Sequence, residues 1–170
     1  MRSFAYILTF LFLSSFSGIP KNYQKKIDKE IVSIFEIETY SKELVVIEAE
    51  VLDQMTEDFD PENFFKIVDS NGHLGYFYFG TAPSKADVFD YIVVFDKDLI
   101  IKKIKILAYR EDWGGEITSK RWLRQFKGSD PETSLKYGSD VMGISGATIS
   151  ARSMTNAVNA LLLNLSKLQE

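Results

Sequence analysis

The sequence predicts an α+β fold: an antiparallel sheet built from hairpins, with a flanking N-terminal helix, a mid-chain helix and a C-terminal helix. Three observations carry this reading. Residues 64–68 and 74–79 are apolar runs separated by Asp69-Ser70-Asn71-Gly72, a strong hairpin signal, and residues 88–95 and 99–107 form a second such pair across Asp96-Lys97-Asp98. Beyond residue 150, Met154, Ala157, Val158, Leu161, Leu162, Leu165 and Leu168 recur at helical spacing. Two successive hairpins followed by helical segments also differ from the strand–helix alternation of a doubly wound parallel sheet.

The remaining elements follow in chain order. Arg2, the apolar run 4–13 and the small residues of 14–18 read as a signal peptide or short membrane anchor, because the run is shorter than the roughly 20 residues of a spanning helix. Residues 19–61 form an N-terminal helix and connecting segment. In the helix, Ile27, Ile31, Ile34 and Phe35 line one face of a charged stretch. Within 44–52, Val45-Val46-Ile47 suggests a strand, although the alternation around it also fits a helix. Residues 62–170 make the main domain. Its aromatic run Tyr76-Phe77-Tyr78-Phe79 suits strand packing on both faces, and Thr81-Ala82-Pro83-Ser84-Lys85 reads as a polar loop broken by Pro83. Ile117, Trp122, Leu123 and Phe126 outline the mid-chain helix.

Composition bounds the chemistry. A chain of 170 residues with 45% hydrophobic content supports a packed core. It contains no cysteine, which removes disulfides, thiolate metal sites and iron–sulfur clusters, and a single histidine gives no transition-metal cluster. Asp87, Asp90, Asp96 and Asp98 lack the order of a calcium-binding loop and read as strand-end residues. The net charge is −4, and the basic pairs Lys102-Lys103 and Lys120-Arg121 are short and interrupted, so nucleic acid is not an expected partner.

The stretch Gly143-Ile144-Ser145-Gly146-Ala147-Thr148-Ile149-Ser150 places hydroxyls on a small-residue turn just before the C-terminal helix. Such a helix start carries unpaired N–H groups and partial positive charge, so it favours an anion, and Arg152 supplies a further cation within reach. The same letters also describe an ordinary helix N-cap. They lie one residue from a Gly-x-Ser-x-Gly nucleophile elbow, but that chemistry needs a base, and His73 sits at a hairpin tip.

Ser145-Gly146-Ala147-Thr148, with Ile149-Ser150-Ala151-Arg152-Ser153-Met154-Thr155-Asn156-Ala157-Val158 after it, resembles the flavinylation motif of the FMN-binding domain family. That family includes flavin-carrying subunits of sodium-pumping and Rnf-type electron-transport complexes and small extracytoplasmic single-domain proteins. A second anchor, from Tyr109-Arg110-Glu111-Asp112-Trp113-Gly114-Gly115-Glu116-Ile117 to Trp122-Leu123-Arg124-Gln125-Phe126-Lys127-Gly128, resembles its flavin-contacting turn and following helix. The resemblance implies FMN joined through its phosphate to Thr148 by a flavin transferase, in an extracytoplasmic carrier that exchanges electrons with membrane-bound redox partners. It implies no catalytic residue. Ser145, Gly146 and Ala147 would shape the turn, Arg152 would face the phosphate, and Trp113, Gly114, Gly115 and Glu116 would contact the ring. Both tryptophans equally suit core positions, and Arg110-Glu111 equally suits a surface ion pair.

One position departs from the family pattern. Where the motif carries an acid three residues before its serine, this chain has Met142, with Asp140 two residues further upstream. A non-flavinylated accessory or binding module of the same fold is therefore the alternative reading.

Overall fold

The structure is a computed structural model that describes residues 18–169. The expected targeting segment falls outside the described residues except for Gly18. The chain forms α1 (Lys21–Phe35), β1 (Ser41–Leu44), α2 (Ala49–Leu52), β2 (Phe64–Asp69), β3 (Gly72–Pro83), β4 (Val88–Phe95), β5 (Ile101–Ala108), α3 (Lys120–Leu123) and α4 (Thr148–Ser166). The strands make one antiparallel sheet in sequence order, β1 to β5. The α+β class, both hairpins and the two long helices lie where the sequence pattern puts them.

Helices cover both faces of the sheet. On one face, Tyr23, Ile27 and Ile31 of α1 pack with Phe65, Ile67, Phe77, Phe79, Ile92 and Val94. On the other, Met154, Val158, Leu161, Leu162 and Leu165 of α4 join Phe64, Tyr78, Phe89, Tyr91, Val93 and Phe95. This two-sided burial explains why β4 is buried from Phe89 to Phe95 rather than alternating. Met154, Val158, Leu162 and Leu165 are wholly buried, and each stabilises the α4 contact by about 1.5–3 kcal/mol.

Three local expectations change. The strand expected within 44–52 lies earlier, at Ser41–Leu44, and Ala49–Leu52 is instead a helical turn. The cause is the partner strand: Val45 N–H donates to Phe64 O at 3.1 Å, and before Phe64 the chain turns through Pro61–Asn63, leaving nothing for residues 46–48 to pair with. The expected loop at 81–85 shortens, because Thr81, Ala82 and Pro83 continue β3 against Asp90, Phe89 and Val88. Ser84 then closes the turn, its N–H donating to Asp87 O at 2.7 Å. The mid-chain helix is three short pieces: 3₁₀ turns at Gly115–Thr118 and Arg124–Phe126 flank α3, which the Ser119 hydroxyl caps by accepting from Trp122 N–H at 3.2 Å.

Candidate functional site

The motif before α4 is shaped by backbone requirements, and among the described residues its Ser145 and Thr148 hydroxyls are both exposed and uncommitted. Ala147 N–H donates to Ile144 O at 3.1 Å, closing a turn in which Gly146 takes a φ of 80°, a value that favours glycine. Ala147 is the residue preceding the helix and offers no side-chain cap, while its carbonyl accepts from Ala151 N–H at 2.9 Å. Thr148 is then the first helical residue, and it is exposed. Neither Ser145 nor Thr148 caps α4, so the N-cap reading of these hydroxyls is not what the fold uses. Among the described residues the amides of Thr148, Ile149 and Ser150 have no backbone partner, so the first turn of α4 presents unpaired donors.

The two motif regions meet directly. Gly114 has a φ of 77°, and a Cβ there would lie 2.4 Å from Ala147 Cβ and 3.1 Å from Gly146 O. A side chain at position 114 would block this approach. The contact carries Trp113, 80% exposed, to the threonine turn. Ile149 and Met142, on either side of Thr148 in sequence, are 50% and 69% exposed, so three of the chain's exposed large apolar side chains border the motif. Gly115 has open space around it and begins the next 3₁₀ turn.

Beside this contact lies a cleft of about 500 Å³, walled by Trp122, Glu116, Arg121, Arg124, Met142 and Gly143. That is within the roughly 300–1,000 Å³ typical of small-molecule and cofactor sites. Trp122 serves both readings given to it. It is 7% exposed and packs edge-on to Phe126, and it also donates from Nε1 to Met142 O at 2.7 Å on the cleft wall. Gln125 Oε1 accepts from Met142 N–H at 2.8 Å, so the Met142 backbone is fixed while its side chain faces outward. Asp140 is engaged elsewhere: its carboxylate accepts from Lys136 N–H at 2.8 Å within its own turn. It does not line the cleft in place of the missing acid.

Arg152 is the fifth residue of α4 and shares a helix face with Thr148 at i, i+4 spacing. Its guanidinium lies 5.1 Å from the centre of the Tyr137 ring. Tyr109 Oη and Ser150 Oγ are 3.0 Å apart, joining the chain after β5 to the first turn of α4.

Arg110 and Glu111 do not pair with each other. Arg110 donates to Asp90, to Tyr23 Oη at 3.3 Å and to Val88 O at 2.8 Å, tying α1 to β4. Glu111 Oε1 accepts from Ala86 N–H at 2.7 Å, from Ser84 Oγ at 2.5 Å and from Asp87 N–H at 3.3 Å. These donors, the Ala86 amide first, hold its carboxyl below the usual carboxylate range. The turn that follows β5 is thus anchored to the β3–β4 turn. Sequence spacing did not single out Gln125, Tyr109 or Tyr137, since their roles come only from the way the loops fold back.

Among the described residues no cluster of metal-ligating side chains occurs, and no helix is long and apolar enough to cross a membrane. No curated protein matches the chain. Residues 86–163 match the FMN-binding domain family, a span that holds β4, β5, the Gly114–Ala147 contact and most of α4. It includes every residue of the expected flavin site, from Trp113 to Arg152. Residues 86–163 therefore carry the pattern of an FMN-binding domain, which supports flavin binding by this chain.

Proposed function

We propose that this protein is an extracytoplasmic electron carrier whose FMN is esterified through its phosphate to Thr148. The observation that carries the reading is the Gly114–Ala147 contact, which brings the exposed Thr148 hydroxyl, free helix amides and exposed apolar surface into one place. A flavin phosphate needs hydrogen-bond donors, and a flavin ring needs apolar surface with polar groups at its edge. The residues fit that group. The amides of Thr148, Ile149 and Ser150 would hold the phosphate, and Arg152 stands one turn away on the same face. Trp113, Met142 and the cleft wall at Trp122 would face the ring, with Gly114 and Gly115 exposing backbone to it and Glu116 at its rim.

When bound, FMN supplies exchange of one or two electrons; the protein sets its orientation, exposure and potential. Forming the ester replaces the O–H bond of Thr148 with an O–P bond. The flavin transferase that matures the protein would supply a flavin nucleotide whose phosphate is held in a phosphoanhydride; that P–O bond breaks as the ester forms, and the displaced nucleoside phosphate leaves together with the proton. Ser145, Gly146 and Ala147 present the turn that enzyme reads. The N-terminal segment would carry the chain across the cytoplasmic membrane and leave it secreted or tethered near membrane-bound redox partners. Outside the cytoplasm a covalent bond prevents loss of the cofactor by dilution.

Co-expression with a flavin transferase tests this. A fluorescent band in denaturing electrophoresis is expected for the wild type and not for Thr148→Ala, together with a mass increase equal to one FMN. A dark, unmodified wild-type chain would overturn the covalent reading and favour the accessory module to which Met142 points. In that case Met142→Asp, which alters an exposed side chain, shows whether the missing acid alone blocks modification.

A further inference from the structure

The fold gathers basic residues that are scattered in the sequence. Residues 99–128 hold eight basic and three acidic side chains, a net of +5 in a chain whose total is −4. Lys102, Lys105, Lys120, Arg124 and Lys127 line a hollow of about 190 Å³ between β5 and the α3 segment. Among the described residues no acidic side chain lines it. Lys103, at its margin, is paired with Glu30 of α1. The other five form no ion pair with the described residues.

We propose that this hollow is the docking surface for an acidic electron-transfer protein, placed to meet the flavin. The inference rests on the carrier reading above. Arg124 lines both the hollow and the 500 Å³ cleft, so a partner seated here lies against the cleft wall. Lysines on β5 also keep an edge strand from pairing with other chains. That accounts for Lys102 and Lys105 but not for Lys120, Arg124 and Lys127 on the helical pieces that cover the edge. An anionic bilayer is the other acidic surface to consider. Among the described residues none of the exposed large apolar side chains lines this hollow to insert into lipid, and a recess accepts a protruding acidic side chain better than a flat membrane. Unpaired cations beside a redox site speed encounter with an acidic partner by about 10- to 1,000-fold at low salt, and screening removes the effect beyond a Debye length of roughly 8 Å at physiological ionic strength.

The test uses the full chain carrying Thr148→Ala, so that binding is read without flavin, and a plant-type ferredoxin as a defined acidic redox protein. Calorimetry at low salt is expected to show binding that weakens about tenfold or more when salt is raised to physiological strength. The triple variant K102E/K120E/K127E is expected to lose binding by a similar factor. K21E/K25E/K29E, with the same net charge change on exposed positions of α1, is expected to keep most of it. Circular dichroism confirms that both variants fold. Absence of salt-sensitive binding, or equal loss in both triple variants, overturns the proposal. So does patch-dependent binding to phosphatidylglycerol vesicles without binding to ferredoxin. None of these results bears on whether Thr148 is flavinylated, which the fluorescent band decides separately.

Discussion

Gly114→Ala perturbs the contact that joins the two halves of the site. The new Cβ would lie 2.4 Å from Ala147 Cβ, about 1 Å inside ordinary contact, and alanine would have to hold a φ of 77°. The left-handed conformation costs a non-glycine residue about 1–2 kcal/mol. Relieving the overlap costs a further 1–3 kcal/mol or so, giving about 2–5 kcal/mol in total. A domain of ordinary stability, roughly 5–15 kcal/mol, survives that loss, so the variant remains measurable. Urea denaturation gives the loss directly, with Gly115→Ala as the internal control. Gly115 has open space and no left-handed φ, so its alanine variant should lie within about 0.5 kcal/mol of wild type. Fluorescence of the denatured band provides a second readout, because moving Gly114 also moves Trp113 away from Thr148. A Gly114→Ala protein as stable as wild type and labelled to the same extent would refute the reasoning, as would equal losses at the two glycines.

Trp122→Phe keeps the ring packed on Phe126 but removes the Nε1 donor to Met142 O. Denaturation should show a loss of about 1–2 kcal/mol, and flavin labelling should fall as the Met142 wall loosens; a loss below about 0.3 kcal/mol would show that the bond is dispensable. Glu111→Gln tests the anchor between the turn after β5 and the β3–β4 turn. Glu111 has a folded pKa below its ordinary 4.5, so its stabilisation is complete above 4.5 and is lost as pH falls through the folded value. Wild type should exceed Glu111→Gln in stability at pH 7, with the gap closing as pH falls below 4.5 and through the folded value; a gap independent of pH would remove the electrostatic explanation.

Much of this arrangement is legible in local sequence because it rests on local physics. The turn signals at Asn71-Gly72 and Asp96-Lys97-Asp98 fix both hairpins, and helical spacing fixes α1 and α4. The strand at Ser41–Leu44 was not legible, since its position depends on where β2 begins, and the extension of β3 through Pro83 depends on what β4 offers it. Arg110 and Glu111 are neighbours in sequence, yet each is held by a different distant strand or turn.

By itself the sequence determined the fold class, a small-residue turn leading into a C-terminal helix and the resemblance to a flavin-binding family, because turn chemistry, periodicity and a contiguous motif are all encoded locally; the structure starts that helix at Thr148, inside the stretch read as turn. Tertiary structure alone decided that Gly114 rests on Ala147, that Trp122 both packs in the core and secures Met142, and that interrupted lysines and arginines share one hollow. Each of these joins residues separated by about 20 or more positions, and their juxtaposition follows from how the loops pack over the sheet rather than from any local preference.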